Sequence, residues 1–410
     1  MIVDWTPFRW PGSWTDPSAL SLLRGTAINY LLIDKGPEFD SVRSRARQDG
    51  LQVADPSTLP GGVWLVKGEW AGVRMSRGTG GAASAGPTGV PWVNSNGWAI
   101  RLAAALHPAT PVWVEAPPAE NARITPDSYL ITMADSASHG GRWVITLDAP
   151  FAAGLASQRP ESMAAWKKLC DGAAFFAAHK DWAGFEPQAI VGVISDYAGD
   201  HEFFGGELLN LLARAGAHYR IQLAQKVSEA SFQGLRAVVY ADAVPPSPAL
   251  RSRILAFVQA GGLLITSPKW GAVTTPALPV EDHPRFALHA VGKGRIALGK
   301  EEQADPYVWA NDTVVLVSHR YDLVRFWNGG ATGSFYTVSP DRKSAIVHLL
   351  FYANRGPDAA SVRVVGRYRS ARIFTADQPT ARSVEMVSQK EAVEVHLPQV
   401  SQYVALELEV

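Results

Sequence analysis

Leu235-Arg-Ala-Val-Val-Tyr-Ala241, the helical stretch Pro248 to Ala260, and Gly261-Gly-Leu-Leu-Ile-Thr266 are the passage from which the fold of this chain is read. An unbroken apolar run reads as a buried strand, apolar residues at helical spacing follow, and a second buried strand closes the passage. Gly261-Gly262 suits the passage from one element to the next, because glycine accepts positive φ at little cost. Upstream, Ala189-Ile-Val-Gly-Val-Ile-Ser195 predicts another buried strand, Glu207 to Ala215 an amphipathic helix ended by Gly216, and Tyr219 to Leu223 a short strand. Strands alternating with helices in this order predict a doubly wound, flavodoxin-like α/β domain over residues 186–304.

Toward the N-terminus the alternation continues with shorter strands. Ala27 to Ile33, Gly62 to Lys67, Pro111 to Glu115 and Arg142 to Asp148 are strand-like, while Arg43 to Gly50, Trp98 to Leu106 and Ser162 to Trp182 have helical character. This pattern predicts a parallel sheet or a (β/α) barrel. A complete eight-fold barrel takes about 250 residues, so residues 1–185 are expected to form a reduced, TIM-like barrel. The glycine-rich segment 77–89 is expected to be a loop, and it lacks the Gly-Lys-Ser/Thr of a phosphate cradle. Past residue 305 the pattern becomes all-β. Thr313 to Val317, Ser334 to Val338, Ser344 to Tyr352, Ser361 to Val365, Ala371 to Phe374, Ala392 to Leu397 and Tyr403 to Val410 predict a C-terminal β-sandwich over 305–410. The expected fold class is therefore α/β plus all-β.

Composition narrows the function. At 410 residues the chain has room for two or three domains, at about 150 residues each. Its 38 basic and 38 acidic residues leave a net charge of zero, so neither nucleic acid nor an anionic membrane surface is an expected partner. No apolar run has membrane-spanning length, and the opening residues lack the basic-then-apolar pattern of a signal peptide. A soluble protein is expected, and a leader removed before this start would leave the same sequence. Cys170, the single cysteine, excludes an intrachain disulfide and is expected to be an inert buried thiol.

A barrel-like segment, a flavodoxin-like unit and a C-terminal sandwich, in that order, resemble multi-domain glycoside hydrolases of the β-galactosidase type. Those enzymes carry a class I glutamine-amidotransferase-like "trimerisation" domain in the middle. Leu235 to Tyr240, Leu255 to Ala260 and Gly261 to Ser267 are similar to that domain's strand, helix, Gly-Gly, strand passage. Val347 to Tyr352, Tyr368 to Arg372, Val393 to Leu397 and Tyr403 to Glu407 are similar to the final sandwich. The resemblance implies cleavage of a glycosidic bond in an oligo- or polysaccharide, and a homo-oligomer, such as a trimer, assembled through the middle domain. The place of the amidotransferase nucleophile holds no cysteine, so glutaminase activity is not expected. The Asn-Glu dipeptide of the family's catalytic pair is absent from this sequence.

Candidate site residues follow from where strands end, because the rim of such a barrel is where a rigid frame meets solvent. Glu115 and Asp148 each follow an apolar strand and precede a proline that favours an open loop. Glycoside cleavage needs one carboxylic acid to protonate the leaving oxygen and one carboxylate to attack or to activate water. Glu115 is expected as the acid and Asp148 as nucleophile or base, with Glu69 between Trp64 and Trp70 as the substitute for either. Of the 14 tryptophans, nine precede residue 150, and flat indole faces suit sugar rings. Trp5 and Trp14, and the cluster of Trp92, Asn94, Asn96 and Trp98, are the expected substrate contacts. Asp200-His201-Glu202 has no second histidine at helical spacing, so no metal ligands are expected, and no cofactor. Two functions stay open: a glycosidase, or a non-catalytic carbohydrate-binding or assembly protein with a degenerate barrel.

Overall fold

Short apolar strands separated by helices pair in parallel, because each helix returns the chain to the same sheet edge. The structure, a computed structural model, describes residues 5–59, 62–77, 83–87, 93–120, 122–273, 281–301, 305–327, 331–352, 359–398 and 401–410. It divides into two units, one comprising Met1–Phe185, Phe326–Val362 and Arg367–Val410, the other Glu186–Arg325 and Arg363–Gly366. Among the described residues no helix is long and apolar enough to cross a membrane.

In the first unit a four-stranded parallel sheet runs in the order Ile145–Thr146, Pro7–Arg9, Tyr30–Leu32, Gln52–Ala54. A three-stranded parallel sheet runs in the order Trp64–Lys67, Val112–Glu115, Arg142–Trp143. Val144 joins the two, its N–H donating to Val114 O at 2.8 Å. The curved surface wraps a small inner cluster of Tyr30, Leu32, Trp113 and Val144, with Trp5, Ala54 and Leu65 against it. Among the described residues no ladder joins Gln52–Ala54 to Trp64–Lys67, so no closed barrel forms. The segment expected as a loop holds a strand, Ala83–Pro87, antiparallel to Val73–Arg77.

The outer face of these strands meets helices Asp40–Gln48, Gly97–Leu106, Pro126–Ser138, Ala149–Ala156 and Pro160–Ala178. The same hydrophobic core runs on into the C-terminal strands: Ile346, Leu350, Tyr403 and Ala405 belong to one cluster with Phe8, Tyr129 and Phe175. Strands Thr332–Val338, Ser344–Phe351, Tyr403–Glu409, Ser370–Thr375 and Gln378–Ser383 lie side by side in that order, all antiparallel. Glu385–Ser388 pairs with Ala392–Leu397 in a separate sheet. Cys170 is buried among these helices, and burial pushes its thiol up to about 12, so it stays protonated.

The second unit is built on a seven-stranded sheet in the order Tyr219–Leu223, Val191–Ser195, Ala237–Tyr240, Leu263–Thr266, Gly294–Gly299, Phe286–Val291, Glu281–Asp282. The first five strands are parallel and the last two antiparallel. Helices Glu202–Arg214, Pro248–Gln259 and Pro306–Val317 cover it. The last of these corrects the expectation of a strand at Thr313 to Val317. Asp305 caps a helix there, accepting Tyr307 N–H at 2.9 Å with Pro306 in the first turn, and Trp309 packs on Phe204 of helix Glu202–Arg214 at 5.6 Å.

Candidate active site

Side chains alternate along a strand, so the inner cluster identifies which residues face inward at the strand ends. Leu65 and Trp113 are opposite each other and both point inward, so Lys67 and Glu115, two residues on and again opposite, face the same way. Arg9 stands opposite inward-facing Leu32 and opposite Thr146. Its guanidinium reaches Asp34 Oδ1 at 2.7 Å. The C-terminal rim of these strands therefore gathers Glu115, Lys67 and the Arg9–Asp34 pair.

Glu69 lies two residues beyond the end of the neighbouring strand Trp64–Lys67. The Gly68 N–H donates to Glu115 O at 2.8 Å, tying the two strand ends together. A Cβ on residue 68 would stand 2.2 Å from Val114 Cγ1 and 2.7 Å from Asn96 Oδ1, so the approach requires glycine. Asn96 is buried, with Oδ1 accepting the Glu69 N–H at 2.8 Å and Nδ2 donating to Glu69 O at 2.9 Å. Its own N–H donates to Asp135 Oδ2 at 2.7 Å, and the Tyr352 hydroxyl donates to Asp135 Oδ1 at 2.7 Å. Burial raises the Asp135 carboxyl to about 6, against those donors, which favour the carboxylate. The structure thus brings Glu69, exposed, and Glu115, half-buried, to adjacent strand ends.

Asp148 is placed otherwise. It is 2% exposed and caps helix Ala149–Ala156, its Oδ1 accepting the Phe151 N–H at 3.0 Å. Oδ2 accepts from the Tyr129 hydroxyl at 2.9 Å and from the Ile124 N–H at 3.2 Å. With both oxygens taken by fold donors, it is a helix cap and not an open nucleophile.

The expected sugar platforms also separate. Trp14 is 3% exposed, packs on Trp10 at 5.2 Å and donates its indole N–H to Ala152 O at 3.1 Å, so it belongs to the core. Trp5 lies against Tyr30 and Trp113 at 5.0 and 6.0 Å, near the strand starts and away from the rim. Asn96 spends its amide on the Glu69 backbone. Asn94 is half-buried, its carbonyl accepting the Gly72 N–H at 2.9 Å, and Trp98 is half-buried in the first turn of helix Gly97–Leu106. Trp92 lies outside the described residues.

No family model and no curated protein matches the sequence. Solved structures do match. The α-L-fucosidase isoenzyme 2 from Paenibacillus thiaminolyticus superposes with a TM-score of 0.55 at 11% identity, over 95% of this chain and 79% of that one. A β-galactosidase from Bacillus circulans sp. alkalophilus gives 0.51 at 11% identity, over 76% of this chain and 57% of that one. The fold is similar to that of glycoside hydrolases. At this identity the likeness concerns the fold, and the chain spans little more than half of the β-galactosidase.

Sequence reasoning missed Arg9, Lys67, Asp135 and Tyr352. Arg9 and Lys67 carried a usable signal, since each ends a strand on the side opposite an outward-facing apolar neighbour, Phe8 or Val66. Asp135 and Tyr352 carried none, because their partnership spans 217 residues.

In the second unit, Asp196, His201 and Asp242 come within ligand distance of one another. The Ala243 N–H donates to His201 Nδ1 at 3.1 Å, so a neutral ring carries its proton on Nε2, the atom 4.0 Å from Asp196 Oδ2. A cation at that place would need the Nε2 lone pair, and metal-bound imidazoles instead donate from their other nitrogen. The set does not fit a metal ion held by all three. Burial raises the Asp242 carboxyl, the Ser195 hydroxyl donates to its Oδ1 at 2.5 Å, and the Asp196 N–H adds a second donor.

Proposed function

We propose that this protein hydrolyses a glycosidic bond in an oligo- or polysaccharide at the strand rim of its first unit. Glu115 is the acid that protonates the leaving oxygen, and Glu69 takes the nucleophile or base role in place of Asp148. The observation that carries the reading is that Glu115 ends one strand and Glu69 follows two residues after the end of its parallel neighbour, while Asn96 and Gly68 hold the Glu69 backbone in place. Such a pair carries out the reaction without a metal or cofactor. Arg9 and Lys67 offer donors for sugar hydroxyls, and Trp92, Asn94 and Trp98 are the proposed substrate contacts.

The architecture that accompanies this reading is a reduced (β/α) barrel over 1–185, an amidotransferase-like α/β domain from 186, and a C-terminal β-sandwich. The α/β domain extends past 304 to take in Pro306–Val317. We further propose a homo-oligomer assembled through that domain. Sedimentation showing only a 44.2 kDa species would reject the assembly.

Incubation with a panel of aryl glycosides and polysaccharides tests the activity. Turnover should fall at least about a hundredfold in Glu115→Gln and in Glu69→Gln. The absent Asn-Glu dipeptide and the engagement of Asp148 favour a second reading, a non-catalytic carbohydrate-binding protein. It requires saccharide binding with no turnover by the wild type.

A further inference from the structure

We propose that the second unit carries a binding site for a small organic oxyanion ester, a phosphate or sulfate group on a ring-sized body. A cavity of about 560 Å³ opens at the sheet edge where Ala237–Tyr240, Leu263–Thr266 and Gly294–Gly299 begin. That is the edge opposite the Asp196–Asp242 cluster, and the volume falls within the range of about 300–1,000 Å³ usual for ligand pockets.

Charge decides the ligand class. Arg236, Lys293, Arg295 and Arg320 line the cavity, and among the described residues no acidic side chain does, so the charged side chains around it are of one sign. The guanidinium carbons of Arg236 and Arg320 lie 3.5 and 4.6 Å from the centroid of the same Tyr321 ring. Stacking fixes the plane of a guanidinium and leaves its N–H edge available for paired bonds to a tetrahedral oxyanion. The floor suits an organic body: Phe232 stacks on Phe257 at 5.2 Å, with Leu235 and Leu263 beside them.

Basic residues also gather at helix C-termini to offset the dipole, and helices Pro248–Gln259 and Pro306–Val317 both end here. At the first helix the last four carbonyls are satisfied by backbone, and at the second two of the last four are. The carbonyls of Ala256, Phe257, Val258 and Gln259 accept N–H groups from Ala260, Gly262, Gly261 and Lys293, and those of Val314 and Val315 accept from Ser318. Ser318, on the cavity wall, holds φ at +76°, a region that non-glycine residues rarely occupy and that marks stored strain.

Isothermal titration of the intact protein at low salt tests the site, with glucose 6-phosphate, glucose 6-sulfate, inorganic phosphate and glucose as probes. At least one ester should bind, more tightly than inorganic phosphate and with no comparable heat from glucose. The tighter of the two esters identifies the source of the oxyanion. Arg236→Ala should weaken binding roughly tenfold or more, and raising the salt should weaken it further. Lys293→Glu, a change on an exposed turn, should do the same with the circular dichroism of the wild type. No heat from either ester at millimolar concentration, or equal binding by wild type and both variants, overturns the proposal.

Discussion

Asn96 grips the Glu69 peptide on both sides, accepting its N–H at 2.8 Å and donating to its carbonyl at 2.9 Å. Asn96→Ala leaves both groups without those partners and costs about 1–3 kcal/mol of stability. It also frees the carboxylate that the proposed reaction needs in place, so kcat should fall roughly tenfold to a hundredfold with little change in KM. Urea unfolding and steady-state kinetics on one aryl glycoside measure the two effects separately. Lost stability at unchanged kcat would make the clamp purely architectural.

Asp148 and Glu115 should respond in opposite ways. Asp148→Ala removes a cap and strands the Tyr129 hydroxyl and the Ile124 N–H, a loss of about 1–3 kcal/mol with activity per folded molecule retained. Glu115→Gln should abolish turnover and leave the unfolding midpoint nearly unchanged. Activity corrected for folded fraction by circular dichroism decides between these patterns.

The first unit should lose stability in mild acid. His348 is buried and His139 half-buried, and desolvation pulls them down to about 3 and about 4. Between the ordinary histidine value of about 6.5 and those values the unfolded chain binds two protons that the folded chain refuses, so stability falls as pH drops. Asp135, raised to about 6 by burial, works in the opposite sense. Below that value the folded state keeps a proton that the unfolded chain releases until about pH 4, which offsets one of the two. Net uptake near pH 5 is then about one proton on unfolding. Urea midpoints at pH 7.5 and pH 5 should show the loss, His348→Gln should flatten it and Asp135→Asn should steepen it.

Much of the scaffold was legible because its elements are local. The strand, helix and strand through Leu235 to Thr266 each declare themselves within a dozen residues, and the fold places them side by side in the expected order. Thr313 to Val317 misled because a short apolar run suits a strand as well as a buried helix, while the deciding signal stood upstream at Asp305-Pro306. The same signal recurs at Thr125-Pro126, Asp148-Ala-Pro150 and Ser247-Pro248, where in each case a side-chain oxygen caps a helix with proline in its first turn. Read that way, the proline after Asp148 announces a cap and not an open rim.

Strand ends carrying Glu115 and Glu69 follow from the order of residues alone, since period and chain direction put both at one edge of a parallel sheet. Which acids remain open to a substrate is a matter of tertiary structure. Asp148 is closed by donors 19 and 24 residues away, Glu69 is held by Asn96 at 27, and Asp135 is buried under Tyr352 at 217. A carboxylate is consumed or left available by the donors that packing brings to it, and local pattern carries no information about partners so distant in the chain.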